Sequence, residues 1–205
     1  MLRTRAGLNT PRTRKATIMR RRTHMCGELR SEHENAKVSL AGWVDARRDH
    51  GANLLFIDLR DRRGICQLTI DGDEVGPEGL RLAEKLRYED VVAAEGIVRA
   101  RAGGPNPKLD TGEVEVVVTK LELLSRSEVP PFLPGDEKNL PAEDTRLKHR
   151  HLDLRRLPMQ RILQTRHRVT KIARDYFDEH GFLEIETPVL CRSTPEGARD
   201  YLVPS

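Results

Sequence analysis

The chain is 205 residues long, 37% hydrophobic and 33% charged, and its 36 Lys/Arg against 32 Asp/Glu give a formal net charge of +4. That length allows one large domain or two small ones, and the absence of any run of 18 apolar residues excludes a membrane-spanning helix from this sequence. The positive balance sits in residues 1–22, which hold eight Lys/Arg and no acid; the remainder has 28 basic against 32 acidic residues, a balance of −4, so charge alone does not mark the folded part as a nucleic-acid binder.

In chain order, residues 1–21 read as a basic disordered leader or as a start placed too early, with Met19 offering a later one. An organelle address label is the alternative; the apolar core of a secretion signal is missing. Five strands follow. "VSLAGWVDAR" alternates loosely, and "LLFIDLR" and "GICQLTI" are separated by the polar turn "DRRG". "VGPEGLRLAEKLRYED" then places Leu80, Leu82, Ala83 and Leu86 on about one helical face, before "VVAAEGIVRAR" and "GEVEVVVTKLELL" resume the strand pattern. Three strands, a helix and two strands is the order of a five-stranded OB barrel, in which a helix joins strands three and four. Residues 22–124 are expected to form it.

Residues 125–144 carry Pro130, Pro131, Pro134 and Pro141 and read as a linker. Beyond it, "MQRILQTRHRVTKIARDYFDEHG" repeats Ile162, Val169, Ile172, Ala173, Tyr176 and Phe177 at helical spacing, with Gly181 placed to end the helix. "FLEIET" reads as a short strand ended by Pro188. Cys26, Cys66 and Cys191 lie 40 and 125 residues apart; without a CxxC pair they suggest no zinc site, and scattered thiols suit a reducing cytosol.

An OB barrel commonly binds oligonucleotides or sugars on its second and third strands and nearby loops. Phe56 in the second strand is a candidate for stacking, Gln67 in the third for reading base edges, and Arg47, Arg48 and His50 lie where the first strand runs into its loop. Spacing leaves Phe56 open between barrel core and binding face. Arg47 and Arg48, flanked by Asp45 and Asp49, are equally readable as solvated charges.

"GWVDARRDHGANLLFIDLRDRRGICQLTI", "NPKLDTGEVEV", "EDTRLKHRHLDLRR", "HGFLEIETPVL" and "STPEGARDYLVPS" resemble the bacterial aspartyl-tRNA synthetases, from about Arg22 to Ser205. The resemblance implies a mainly β fold with α: an OB-fold anticodon-binding domain, then in residues 145–205 the first part of a class II synthetase α+β catalytic domain. It implies that Phe56 stacks on an anticodon base, that Arg48 and Gln67 hydrogen-bond anticodon bases, and that Glu196 meets the ammonium group of bound aspartate. In this family a His at the position of His50 tends to accompany enzymes that also charge the asparagine tRNA. The helix and strand ending at Pro188 would be motif 1, a dimer-interface element.

The implied activity is aspartate–tRNA ligation in the cytoplasm, with ATP and Mg2+ as cofactors of the full-length enzyme, a homodimer, and tRNA(Asp), or tRNA(Asp) and tRNA(Asn), as partners. Motifs 2 and 3, which hold ATP, have no counterpart among these 205 residues, so the chain by itself is expected to bind no cofactor or metal, to supply no catalytic residue and to be inactive alone. A non-catalytic OB-fold tRNA-binding module is the alternative. One departure is Ala46, where the family commonly has an arginine in an "RRRD" stretch.

Overall fold

The computed structural model describes residues 21–136 and 138–190. Residues 1–20, which hold most of the segment read as a leader or an early start, and Glu196 lie outside the described residues. The chain divides into two compact units between Gly135 and Asp136.

In the first unit, strands β1 (Lys37–Asp49), β2 (Leu54–Asp61), β3 (Gly64–Asp71), β4 (Val91–Ala100) and β5 (Val114–Ser125) close into a barrel with the order β1-β2-β3-β5-β4. All neighbours are antiparallel except β3 and β5, which run parallel. Alternation drives closure. Along β2 and β4 every second residue is buried, which a strand achieves by pointing successive side chains to opposite faces. Val38, Leu40, Val44, Ile57, Leu68 and Val116 are among the side chains that fill the interior. Gly96 shows how closely the strands approach: a Cβ there would lie 2.2 Å from the Val117 carbonyl oxygen, where β4 and β5 shift register. The fold class expected from sequence is the one observed.

The helix α1 (Gly72–Glu84) joins β3 to β4 and places Ala83 in the core, with Val75, Leu80 and Leu82 packed against it. It begins three residues earlier than its apolar pattern suggests, because Asp71 accepts a hydrogen bond from the Asp73 amide and caps the first turn. It breaks at Gly76, whose φ of +74° takes it out of helical geometry before Pro77. It also ends earlier, at Glu84, where arginines gather on its terminal carbonyls: Arg47 Nη1 donates to Glu84 O at 2.6 Å and Arg126 Nη1 to Lys85 O at 2.7 Å. Ahead of β1, Cys26 and Leu29 are fully buried in the core, and the Cys26 amide donates to Asp61 Oδ2 at 2.7 Å. The hydrogen bond with Cys66, together with burial, pushes the Cys26 thiol up, away from the reactive thiolate.

Arg126 and Ser127 are tied to the barrel through buried Asp90, which accepts from Arg126 Nη1 and the Ser127 amide, both at 2.8 Å. The second unit contains α2 (Glu143–Lys148), α3 (Arg150–Asp153) and α4 (Leu157–Glu179). Asp153, fully buried, accepts from Arg150 at 2.5 Å and Arg156 at 3.0 Å. Gly181 follows α4 at φ +80°, and the Phe182 amide returns to Phe177 O, so the glycine ends the helix as its position suggests.

"FLEIET" is not a strand: residues 182–187 have no regular structure. A single short strand needs a neighbour for its amides and carbonyls, and none pairs with it among the described residues. For the same reason α4 keeps its apolar stripe exposed, with Ile162, Val169, Ile172, Tyr176 and Phe177 all more than half accessible. Among the described residues no helix is long and apolar enough to cross a membrane.

Candidate nucleic-acid interface

The outward face of β1, β2 and β3 gathers the polar candidates. Register pairs Arg48 with Phe56 and Phe56 with Thr69, while Asp58 stands opposite Gln67. Leu55, Ile57 and Leu59 point into the core, so Phe56 and Asp58 between them point out. Phe56 is therefore half-buried on the outer face and is not part of the barrel core. His50, just past β1, packs edge-on against it, with ring centroids 4.8 Å apart and planes at 84°. An edge-to-face pair of this kind is a favourable aromatic arrangement, and hydrogen-bonding groups border the ring.

Arg48 grips Asp58 with both terminal nitrogens, at 2.6 and 2.7 Å, a planar two-point pairing. Its pKa is raised, first by that hydrogen bond, so the guanidinium keeps its charge while poised beside Phe56. Gln67 is only 3% exposed. Its oxygen accepts from Arg101 Nη2 at 2.6 Å and its amide nitrogen donates to Glu115 Oε2 at 2.8 Å. Both ends of the amide are thus occupied within the protein, and with them its orientation is set. A base that uses Gln67 must displace or share these partners. Arg47, by contrast, turns to the end of α1, with Leu86, Tyr88, Val129 and Pro130 around a cavity of about 500 Å³ that includes neither Arg48 nor Phe56.

Four groups on this face went unread in the sequence: Asp58, Thr69, Arg101 and Glu115. The period of two in "LLFIDLR" places Asp58 beside Phe56, and the same period in "GICQLTI" places Thr69 beside Gln67. Nothing local announces Arg101 and Glu115, which reach Gln67 only through the pairing of β5 with β3 and β4. Thr69 Oγ1 and Arg101 Nη1 are buried and have no hydrogen-bond partner among the described residues. Among the same residues no group of three or more His, Cys, Asp or Glu could hold a metal ion.

Comparison with known proteins places both units. Residues 38–124 match the family model described as the OB-fold nucleic acid binding domain, and residues 142–205 that of the class II tRNA synthetases (D, K and N). The Aspartate–tRNA(Asp/Asn) ligase of Syntrophotalea carbinolica is 55% identical over 90% of this chain and 31% of its own length. The Thermotoga maritima protein of the same name is 54% identical over the same shares. The chain therefore spans about a third of the length of these curated relatives. Among solved structures, the asparaginyl-tRNA synthetase of Pyrococcus horikoshii complexed with asparaginyl-adenylate superposes with a TM-score of 0.69 at 30% identity, over 81% of this chain and 36% of that one.

Proposed function

The chain belongs to the class II tRNA synthetases of the D, K and N group, and we propose that its barrel reads the anticodon arm of tRNA(Asp) and tRNA(Asn) for an aspartate–tRNA ligase. The observation that carries this reading is the half-buried, outward-facing ring of Phe56, framed by Arg48, His50 and Gln67 on one face of the barrel. An unstacked anticodon base would gain a flat apolar partner there, and its edge would reach Arg48 and Gln67 by displacing or sharing the partners that now hold them. Arg101 and Glu115 act by orienting Gln67.

The family's use of ATP implies that aspartate is activated as an adenylate in the whole enzyme. Mg2+ would steady the phosphate charge there. No chemical step is assigned to the described residues. Glu196 would meet the ammonium group of aspartate. A second copy of the enzyme would cover part of the apolar stripe on α4, making a homodimer. We place the enzyme in the cytoplasm, where aminoacylation for translation takes place.

His50 bears on which tRNAs are accepted. It packs against Phe56 where the loop leaves β1, so it borders the same base site. Titrating the 205-residue chain with stem–loops carrying the aspartate, the asparagine and an unrelated anticodon tests the proposal. The first two should bind within about tenfold of each other, roughly 1.4 kcal/mol, and both more tightly than the third. A gap of about a hundredfold between the first two would remove the relaxed specificity. Equal binding of all three would remove anticodon reading altogether.

A further inference from the structure

We propose that the Thr69 hydroxyl is a further base-contacting group on this face, one that hydrogen-bonds the edge of the anticodon-loop base stacked on Phe56. The inference rests on the reading of β1–β3 as the anticodon site and adds a residue to it.

The strand β3 sends Cys66, Leu68 and Ile70 into the core and Gln67 and Thr69 to the outer face. A valine would suit the strand at position 69 as well as threonine does, with the same branching and no polar atom to satisfy. The hydroxyl is a liability in the free protein. Thr69 is 8% exposed, its Oγ1 is buried, and it makes no hydrogen bond among the described residues. Its cross-strand neighbours, Phe56 on β2 and Val117 on β5, offer no polar side-chain atom. Other threonines of the barrel are satisfied: Thr111 donates to Ile65 O at 2.6 Å and Thr119 to Glu95 O at 3.2 Å. A buried polar atom without a partner is destabilising, and a site that keeps one keeps it for a ligand or at a cost.

A second unsatisfied atom lies close by. Arg101 Nη1 is likewise buried without a partner, while Nη2 of the same guanidinium holds Gln67, two residues from Thr69 on the same face. The face therefore carries one unused hydroxyl, on Thr69, and one unused N–H, on the guanidinium that holds Gln67. Across the β2–β3 pair Thr69 faces the half-buried Phe56, and contact between a base and the hydroxyl requires that ring to shift when the base arrives. Phe56 has Arg48 on its β1 side and Thr69 on its β3 side. A base stacked on the ring extends its polar edge over one of these two neighbours, and over β3 that edge meets Thr69. A hydroxyl both donates and accepts, so it fits an exocyclic amino group or a carbonyl, and the Arg101 N–H adds a donor beside it.

The test uses the full chain, a stem–loop with the aspartate anticodon, and the variants Thr69→Val and Thr69→Ser. Thr69→Val should melt at or above the wild-type temperature, since it removes an unsatisfied hydroxyl, yet bind the stem–loop about five- to tenfold more weakly. Thr69→Ser should bind within about twofold of wild type. The inference is overturned if Thr69→Val binds as wild type, if it weakens binding only together with a fall in melting temperature, or if Thr69→Ser loses as much as Thr69→Val. Phe56→Ala separates the two levels. If that variant weakens binding and Thr69→Val does not, the hydroxyl has no role and the anticodon site stands; if neither does, the site itself is wrong.

Discussion

Replacing Arg60 by alanine is expected to destabilise the barrel by about 3–5 kcal/mol. Arg60 leaves the outer face of β2, its side chain 12% exposed, and joins two carboxylates from different parts of the chain. Its Nε donates to Asp45 Oδ1 at 2.7 Å, across the β1–β2 pair, and its Nη2 donates to Glu89 in the turn before β4. The Trp43 ring lies 5.9 Å from the guanidinium carbon and covers it. Glu89 is 6% exposed and held at φ +67°, a conformation that costs a non-glycine residue energy and that its contacts must sustain. Removing the cation leaves two carboxylates near each other in a poorly solvated place, which costs more than the lost attraction alone. Denaturant unfolding of Arg60→Ala and Arg60→Met measures the effect. Methionine keeps most of the apolar stem, so a comparable loss in both identifies the charge as the cause. A loss below about 1 kcal/mol in either would mean that the pairing is solvated and weak, as exposed ion pairs are.

Phe56→Ala is expected to weaken binding of the aspartate anticodon stem–loop by about 1–3 kcal/mol, the usual worth of one base stacked on an aromatic ring. Because Phe56 stands on the outer face, its loss should cost the fold less than the loss of a core neighbour such as Ile57. Binding and stability therefore separate at this position. Phe56→Trp, which keeps a stacking surface, should recover much of the affinity. A folded Phe56→Ala chain with unchanged affinity would show that the ring only shields β3.

The barrel was legible because its signal is local: alternating apolar residues bounded by Gly, Asp and Asn place each strand almost where it occurs. The class II helix was legible for the same reason, through Ile162, Val169, Ile172 and Phe177. What the sequence did not reveal is of two kinds. "FLEIET" has the period of a strand, but a strand exists only when something pairs with it, and residues 182–187 have no such neighbour among the described residues. Gln67 has the chemistry to read a base, but its identity does not reveal that Arg101 and Glu115 already hold both ends of its amide. Those partners come from 34 and 48 residues away, through strand order that no local pattern encodes. Arg47 and Arg48 make the same point from adjacent positions. One caps the end of α1 and the other pairs with Asp58 beside Phe56, because neighbours on a strand face opposite ways.

The central claim is that the outward face of β1, β2 and β3 binds the anticodon loop, and an NMR titration of the isotope-labelled 23.3 kDa chain with the aspartate anticodon stem–loop tests it most directly. The predicted result is that amide signals of Arg48, His50, Phe56, Gln67 and Thr69 move together and saturate at one stem–loop per chain. Signals from α1 and from α4 should stay in place. Binding that shifts α1 or α4 while those five amides stay where they are would contradict the account.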